Sequence, residues 1–252
     1  MKLILVSLLI ASPMVLATDF DPNFSSDFGI VIQDEQTLTI KHGVSNSSFV
    51  NADTSIKLKS LHMKKGSVLI IDYSAGYTRI EALEATFDEG SSIIVEGKDG
   101  HKVGEDGYPS PPLTLTFPEL KMNGAYFKAV GGDGAKGATG VKGKNAGQKK
   151  CSSGDGWPAE NGGRGGVGGK GSSNNNIVLY TASPKNELDY TVDFVAGKGG
   201  EGGTGGQGGD GAPGKKCIGY KRGSRPPGKI GPPGASGKKG ETGQFIVINI
   251  TS

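Results

Sequence analysis

Long apolar runs are all but missing from this chain. After "LILVSLLI" at residues 3–10, no stretch approaches the ~20 apolar residues of a membrane-spanning helix. Hydrophobic residues make up 34% of the 252 positions, so a conventional core cannot extend through the whole length. Histidine is scarce too. His42, His62 and His101 are scattered, and none has a nucleophile or a metal-ligand spacing beside it. That removes the usual signatures of metal and nucleophilic catalysis, and no catalytic residue, metal ligand or cofactor is expected. With two cysteines, the chain has material for a single disulfide.

What is present begins with an export signature. Lys2 supplies charge, the apolar run has signal-peptide length, and Val15 and Ala17 occupy the small-residue positions of a cleavage site. Residues 1–17 therefore read as a signal peptide, with the mature chain starting at Thr18. No cysteine follows the site to carry a lipid anchor. The expectation is a secreted or cell-surface protein with no transmembrane segment after processing. In that compartment Cys151 and Cys217 can form one disulfide; two free thiols are the alternative.

The first half contains a hidden repeat. "IKLKSLHMKKGSVLIIDY" from Ile56 aligns with "IEALEATFDEGSSIIVEG" from Ile80 at an offset of 24 residues, with Gly66 and Gly90 in equivalent places. A looser copy is "LTLTFPELKMNGAYFKAV", with Gly124 in the glycine role, and "QTLTIKHGVSNSSFV" reads as a degenerate first copy. Short β-branched runs, glycine turns and a period in the twenties point to stacked β-coils, a β-sandwich being the alternative. "RIEALEATF" is rich in helix formers, but its repeat partner alternates like a strand, so it reads as a strand.

Glycine dominates the second half. The chain's 45 glycines are about two and a half times ordinary usage, and the runs in the second half keep phase in threes. Gly131 to Gly143 form one series and Gly228 to Gly243 another. The runs from Gly162 and from Gly197 carry two registers each. Three is the period of the polyproline II conformation, which has no internal hydrogen bonds. A bare glycine face lets backbones approach and pair sideways, inner segments having two bare faces and outer ones a single face. Strand-like "AYFKAV", "NIVLYTA", "DYTVDFV" and "FIVINIT" flank the runs. The order is then strand, rod, loop, rod, strand, twice over, with Cys151 and Cys217 in the two far loops.

In-register "GGRGGVGGKG" and "GGEGGTGGQGG" resemble the polyglycine II bundles of snow flea antifreeze proteins and of T-even-like phage tail-tip adhesins. "GPPGASGKKGETG" is similar to bacterial collagen-like sequences. The resemblance is one of repeat type over residues 131–243, and it implies architecture. The expected fold class is mostly β: a β-solenoid-like N-terminal body with a C-terminal bundle of four antiparallel polyglycine II (polyproline II-type) helices. The divisions are 1–17 signal peptide, 18–130 body, 131–243 rods with intervening strands 177–195, and 244–252 a strand returning to the body.

Several functional classes fall away. GxGxxG matches arise trivially from low complexity and none sits in a strand–turn–helix setting. The nine-residue calcium pattern is met once, at Asp210. An ice face would favour uncharged outward positions, yet these carry Lys136, Arg164, Glu201 and Lys239 among other charges. The far loops, "KNAGQKKCSSGDGWPAEN" and "KKCIGYKRGSRPPG", hold Lys144, Lys149, Lys150, Lys215, Lys216, Lys221, Arg222 and Arg225 with Trp157 and Tyr220. Basic, aromatic-bearing loops on a scaffold suit an anionic polysaccharide or lipopolysaccharide. Export argues against nucleic acid. The expected function is a non-enzymatic surface adhesin or binding module. The alternatives are a structural matrix protein without a specific ligand, a glycan-active enzyme or an ice-binding protein.

Overall fold

The computed structural model describes residues 15–17, 29–40, 54–151 and 156–250. Apart from Val15–Ala17, the expected leader lies outside them, as does His42.

The strands are β1 (Val15–Ala17), β2 (Ile30–Ile32), β3 (Thr37–Ile40), β4 (Thr54–Met63), β5 (Val68–Ile71), β6 (Thr78–Phe87), β7 (Ser92–Glu96) and β8 (Leu113–Thr116). They continue as β9 (Glu119–Met122), β10 (Ala125–Val130), β11 (Ile177–Thr181), β12 (Tyr190–Val195), β13 (Lys215–Cys217), β14 (Tyr220–Arg222) and β15 (Phe245–Asn249). One sheet has the order β1-β3-β5-β7-β10-β12, and the other β15-β11-β8-β6-β4-β2 with β9 also on β6. Within both sheets every pairing is parallel. The chain alternates between the sheets as it advances, so it winds in stacked coils, which is not the topology of a sandwich of antiparallel hairpins.

The repeat offset is the pairing register. Ile56 lies beside Ile80, Leu61 beside Ala85, Met63 beside Phe87 and Leu69 beside Ile93, each 24 residues apart. Like side chains therefore stack in columns between the sheets. Phe87, Phe117, Phe127, Ile71, Ile93 and Leu115 are fully buried there. The Phe87 ring lies 6.0 Å from both Phe117 and Phe127, a separation at which tilted aromatic pairs attract. The helix formers of "RIEALEATF" lie in β6, because alternate residues there face the core.

Four coils turn between sheets at a left-handed residue, and the last, from β11 to β12, turns through Lys185–Glu187 without one. Gly66, Gly90 and Gly124 have φ of 65°, 70° and 69°, a conformation that only glycine adopts at no steric cost. The first coil differs from expectation. Glu35 (φ 57°) takes the turn position, and its N–H donates to Lys65 O just as Gly66 N–H donates to Glu89 O. The copy therefore begins at β2, and "QTLTI" is its second half. A glutamate at the turn hid the alignment.

The glycine-rich helices need correction. Among the described residues the only helical segments are two three-residue 3-10 turns, Tyr73–Ala75 and Lys185–Glu187. The glycine segments make no backbone hydrogen bonds within themselves, so no helix bundle exists. They are extended strips that bond to one another, and they are not uniformly antiparallel.

We number the strips first (131–146), second (160–174), third (197–210) and fourth (228–243). Gly134, Gly137, Gly140 and Gly143 donate to the carbonyls of Lys198, Glu201, Thr204 and Gln207, so the first and third strips are parallel. Gly162, Gly165, Gly168 and Gly171 donate to Lys229, Pro232, Ala235 and Lys238, so the second and fourth are parallel. Antiparallel bonds join these two layers. Gly163, Gly166 and Gly169 donate to Val141, Ala138 and Ala135, and Gly200, Gly203 and Gly206 to Gly169, Gly166 and Gly163. Gly231, Gly234 and Gly237 donate to Gly206, Gly203 and Gly200. The second and third strips thus bond to all three other strips and the first and fourth to two, the first also bonding to the 97–108 loop through Ala135 N–H to Glu105 O and Gly104 N–H to Lys136 O.

The strips continue the sheets. The first leaves β10 and the third leaves β12, its parallel partner; the second and fourth enter β11 and β15, also partners. Face-to-face sheets with side chains between them stand ~10 Å apart. Glycine removes the side chains and lets the two layers close to hydrogen-bonding distance.

A Cβ on Gly203 would lie 1.8 Å from Ala138 O. Gly203→Ala is therefore expected to lower stability by about 3 kcal/mol or more through overpacking. Thr204→Ala, on the exposed neighbour, should change it by less than about 0.5 kcal/mol. Urea unfolding of the two variants checks this.

Candidate functional site

The far ends of the strips meet in one place. Cys151 and Cys217 are joined in a disulfide, Cα–Cα 5.7 Å, that links loops 66 residues apart in sequence. β13 and β14 form a small antiparallel hairpin on the third-to-fourth connection, pairing Lys216 with Lys221 and Cys217 with Tyr220. Its tip is Ile218-Gly219, with Gly219 at φ 82°. Tyr220 Oη donates to Cys151 O, a second tie between the loops.

Trp157 is fixed from one side. Its Nε1 donates to Asn145 O at 3.0 Å. Its ring lies against Gly147, where a Cβ would sit 3.0 Å from the indole. The other face is open, and the side chain is 66% exposed. A fixed, solvent-facing indole is a stacking platform for a sugar ring or an apolar group.

The cations are not equivalent. Lys144 pairs with Glu160 at 3.4 Å. Arg225 is half-buried at the base of the tip, its backbone N–H donating to Ala212 O. The Arg222 guanidinium lies 6.0 Å from the Tyr220 ring centroid. Lys150, Lys215, Lys216 and Lys221 are exposed and Lys149 partly so, and none forms an ion pair with a carboxylate among the described residues. The site read from sequence is thus gathered at one end of the molecule, with its outer surface made by those lysines, Trp157 and Tyr220. Ile218, fully exposed between the hairpin strands, is an apolar contributor that sequence reading passed over. Its signal was the near-symmetric "KKCIGYKR", a two-residue turn between matching basic strands.

A second concave feature lies where the coils meet the strips. Asp72, Tyr73, Glu96, Lys98, Asp99 and His101 line an open cleft of about 490 Å³. Lys98 Nζ donates to Tyr73 Oη at 3.2 Å and lies 5.0 Å from that ring's centroid. This contact holds its pKa above the ordinary value. Burial, with a smaller contribution from Asp72, raises the Glu96 carboxyl. Behind the cleft, Glu105 accepts from the N–H groups of Lys102 and His101 at 2.7 and 2.8 Å and from Tyr108 Oη at 2.8 Å. These bonds hold its pKa at about 2. The cleft was missed because its residues, Val130 among them, come from three sequence regions. His101 is part of it, whereas His62 Nε2 meets Asp88 at 3.0 Å on the body.

Among the described residues no three metal-capable side chains converge, and no helix is long and apolar enough to cross a membrane. No protein-family model, curated protein or solved structure matches this chain.

Two predictions follow from this geometry. Closing a loop of this length restricts the unfolded chain by about 4 kcal/mol, so reduction of Cys151–Cys217 should lower stability by that order. Unfolding curves with and without dithiothreitol measure it. The depressed pKa of Glu105 means its carboxylate stabilises the 97–108 loop above the ordinary carboxylate range. That contribution is lost as pH falls from 4.5 toward about 2. Amide exchange at His101 and Lys102 should accelerate over that window, and Glu105→Gln should reproduce the acceleration at neutral pH.

Proposed function

We propose that this protein is an exported, non-enzymatic surface adhesin whose tip loops contact an anionic glycan. The observation that carries the reading is the outer tip surface: Lys149, Lys150, Lys215, Lys216 and Lys221 around exposed Trp157 and Tyr220, on loops tied by Cys151–Cys217.

Chemistry supports the class of ligand. Ammonium groups on flexible stems act as point charges and suit dispersed sulfate, phosphate or carboxylate groups better than one deep pocket. The indole face adds stacking on the apolar side of a sugar ring. Because the backbone of both loops is tied by the disulfide, less conformational entropy is lost on binding. Polysaccharide and lipopolysaccharide share this chemistry. The export signal read at residues 1–17 supports a location where such ligands occur, and its removal after Ala17 would take away only the edge strand β1.

The test uses the full chain and a sulfated polysaccharide, heparin, as probe. Replacing Lys149, Lys150, Lys215, Lys216 and Lys221 by Ser is expected to weaken binding at least tenfold and to flatten its dependence on salt. Replacing Lys57 and Lys65 on the body should leave both unchanged. Undiminished binding by the tip variant overturns the assignment, and a chain that binds no anionic glycan but coats surfaces by self-association supports a structural role instead.

A further inference from the structure

The hairpin at the tip is built against its own electrostatics. Its register sets Lys215 opposite Arg222 and Lys216 opposite Lys221, and like charges directly across a strand pair repel. No carboxylate forms an ion pair with Lys215, Lys216 or Lys221 among the described residues. Both strands are nonetheless fastened to one residue just behind the turn. Cys217 of β13 is bonded to Cys151 through the disulfide, and Tyr220 of β14 donates to Cys151 O.

Ile218 stands at the apex of this array, 102% exposed. Gly219 carries the positive φ of the turn, 82°, so the backbone makes no special demand on position 218, which Pro, Asn, Asp or Gly ordinarily fills in tight turns. With its whole surface in water, the side chain adds nothing to the core. Neither turn geometry nor packing accounts for an isoleucine here. Val141, Val167 and Ile230 are also exposed, but they lie along the strips, whereas Ile218 leads a hairpin with cations behind it. The pair Lys216 and Lys221 lies two residues behind the turn on each strand, ~7 Å, and Lys215 and Arg222 lie ~10 Å behind it.

We infer that this hairpin inserts into a membrane surface, and that the tip's ligand is an anionic glycolipid held in a bilayer, of lipopolysaccharide type, and not a free polysaccharide. The inference rests on the reading of the tip as an anionic-glycan surface and narrows its ligand. A glycolipid layer presents charged sugars and phosphates first and acyl chains beneath them, and the hairpin presents its groups in the matching order. Ile218 enters the acyl boundary, within the ~5–10 Å reached by interfacial segments. Lys215, Lys216 and Lys221 stay at the phosphates, their aliphatic stems covering the apolar side. Tyr220 lies between them, at the level where amphipathic rings settle. The anionic surface relieves the repulsion between the cross-strand cations. A soluble polysaccharide answers those cations equally well but has no apolar layer to receive Ile218.

The test measures binding of the full, disulfide-intact chain to phosphatidylcholine vesicles that contain lipopolysaccharide, to vesicles of phosphatidylcholine alone, and to heparin. Binding to the first and third is expected, with little to the neutral vesicles. Ile218→Ser should weaken binding to the lipopolysaccharide vesicles about tenfold and leave heparin binding unchanged. Replacing Lys216 and Lys221 by Ser should weaken both roughly tenfold or more. Ile230→Ser, at a position 75% exposed on the fourth strip, should alter neither. Heparin binding without vesicle binding, equal binding to neutral vesicles, or an Ile218→Ser chain that binds the lipopolysaccharide vesicles as tightly as the parent overturns the inference while the glycan reading stands. Undiminished binding of both probes by the lysine variant overturns the glycan reading itself.

Discussion

The hydrogen bond between two bare backbones is the interaction on which the glycine-rich part of this molecule depends. Gly203 N–H donates to Gly166 O at 2.8 Å, and Gly234 N–H donates to Gly203 O at the same distance. Apolar burial could not hold these strips in its place. They have almost no apolar side chains to remove from water, and a buried peptide group left unpaired is costly. The approach needed for such bonds leaves no room for a Cβ. At Gly162, Gly205 and Gly209 a methyl group would fall within 2 Å of a carbonyl oxygen. The three-residue period therefore records which residues face a neighbouring backbone.

The coils and the strips are one two-layer arrangement with two kinds of interior. Between the sheets, columns such as Met63–Phe87 and Leu69–Ile93 fill the space with side chains, and burial of apolar surface drives assembly. Beyond β10 and β12 the layers lose their side chains and meet through peptide groups. Glycine makes this exchange expensive in entropy, because it loses more backbone freedom on folding than any other residue. Three features reduce that cost. Pro213, Pro232 and Pro233 lie in or beside the strips and restrict the unfolded chain. The Cys151–Cys217 link restricts it further. Side-chain acceptors also satisfy backbone donors on the outer positions: Asp133 accepts from Lys198 N–H, Asn161 from Lys229 N–H and Ser173 from Glu241 N–H.

Periodicity made much of this readable in advance. The 24-residue offset from Ile56 to Ile80 is the register of β4 on β6, and the glycine series mark the donors of the strips. The Cys151–Cys217 link followed from placing both residues in far loops of one hairpin order. Other features had no local signal. Period three is shared by any polyproline II-like backbone, so it did not show that the strips extend parallel strands, and the expected helix bundle was wrong for that reason. The first coil escaped alignment because Glu35 stands where glycine was sought. Neither the cleft nor the exposure of Val192 is written in any contiguous stretch. The cleft needs Asp72, Glu96 and His101 brought together, and the exposure of Val192 depends on which coil comes last.

Charge is distributed according to the same layering. On the first and third strips, parallel neighbours place opposite charges abreast, Lys136 with Glu201 at 3.3 Å and Lys142 with Asp210 at 3.0 Å. Such exposed pairs add little stability, but they neutralise that flank. The second and fourth strips carry Arg164, Lys170, Lys229, Lys238 and Lys239, none in an ion pair among the described residues. The positive field is therefore concentrated on one flank and at the tip, and fields of like sign add over distances up to a Debye length of ~8–10 Å. A chain with a net charge of only +3 can in this way present a strongly basic surface. The parallel register that aligns the glycines also decides which lysines are neutralised and which remain to face a ligand.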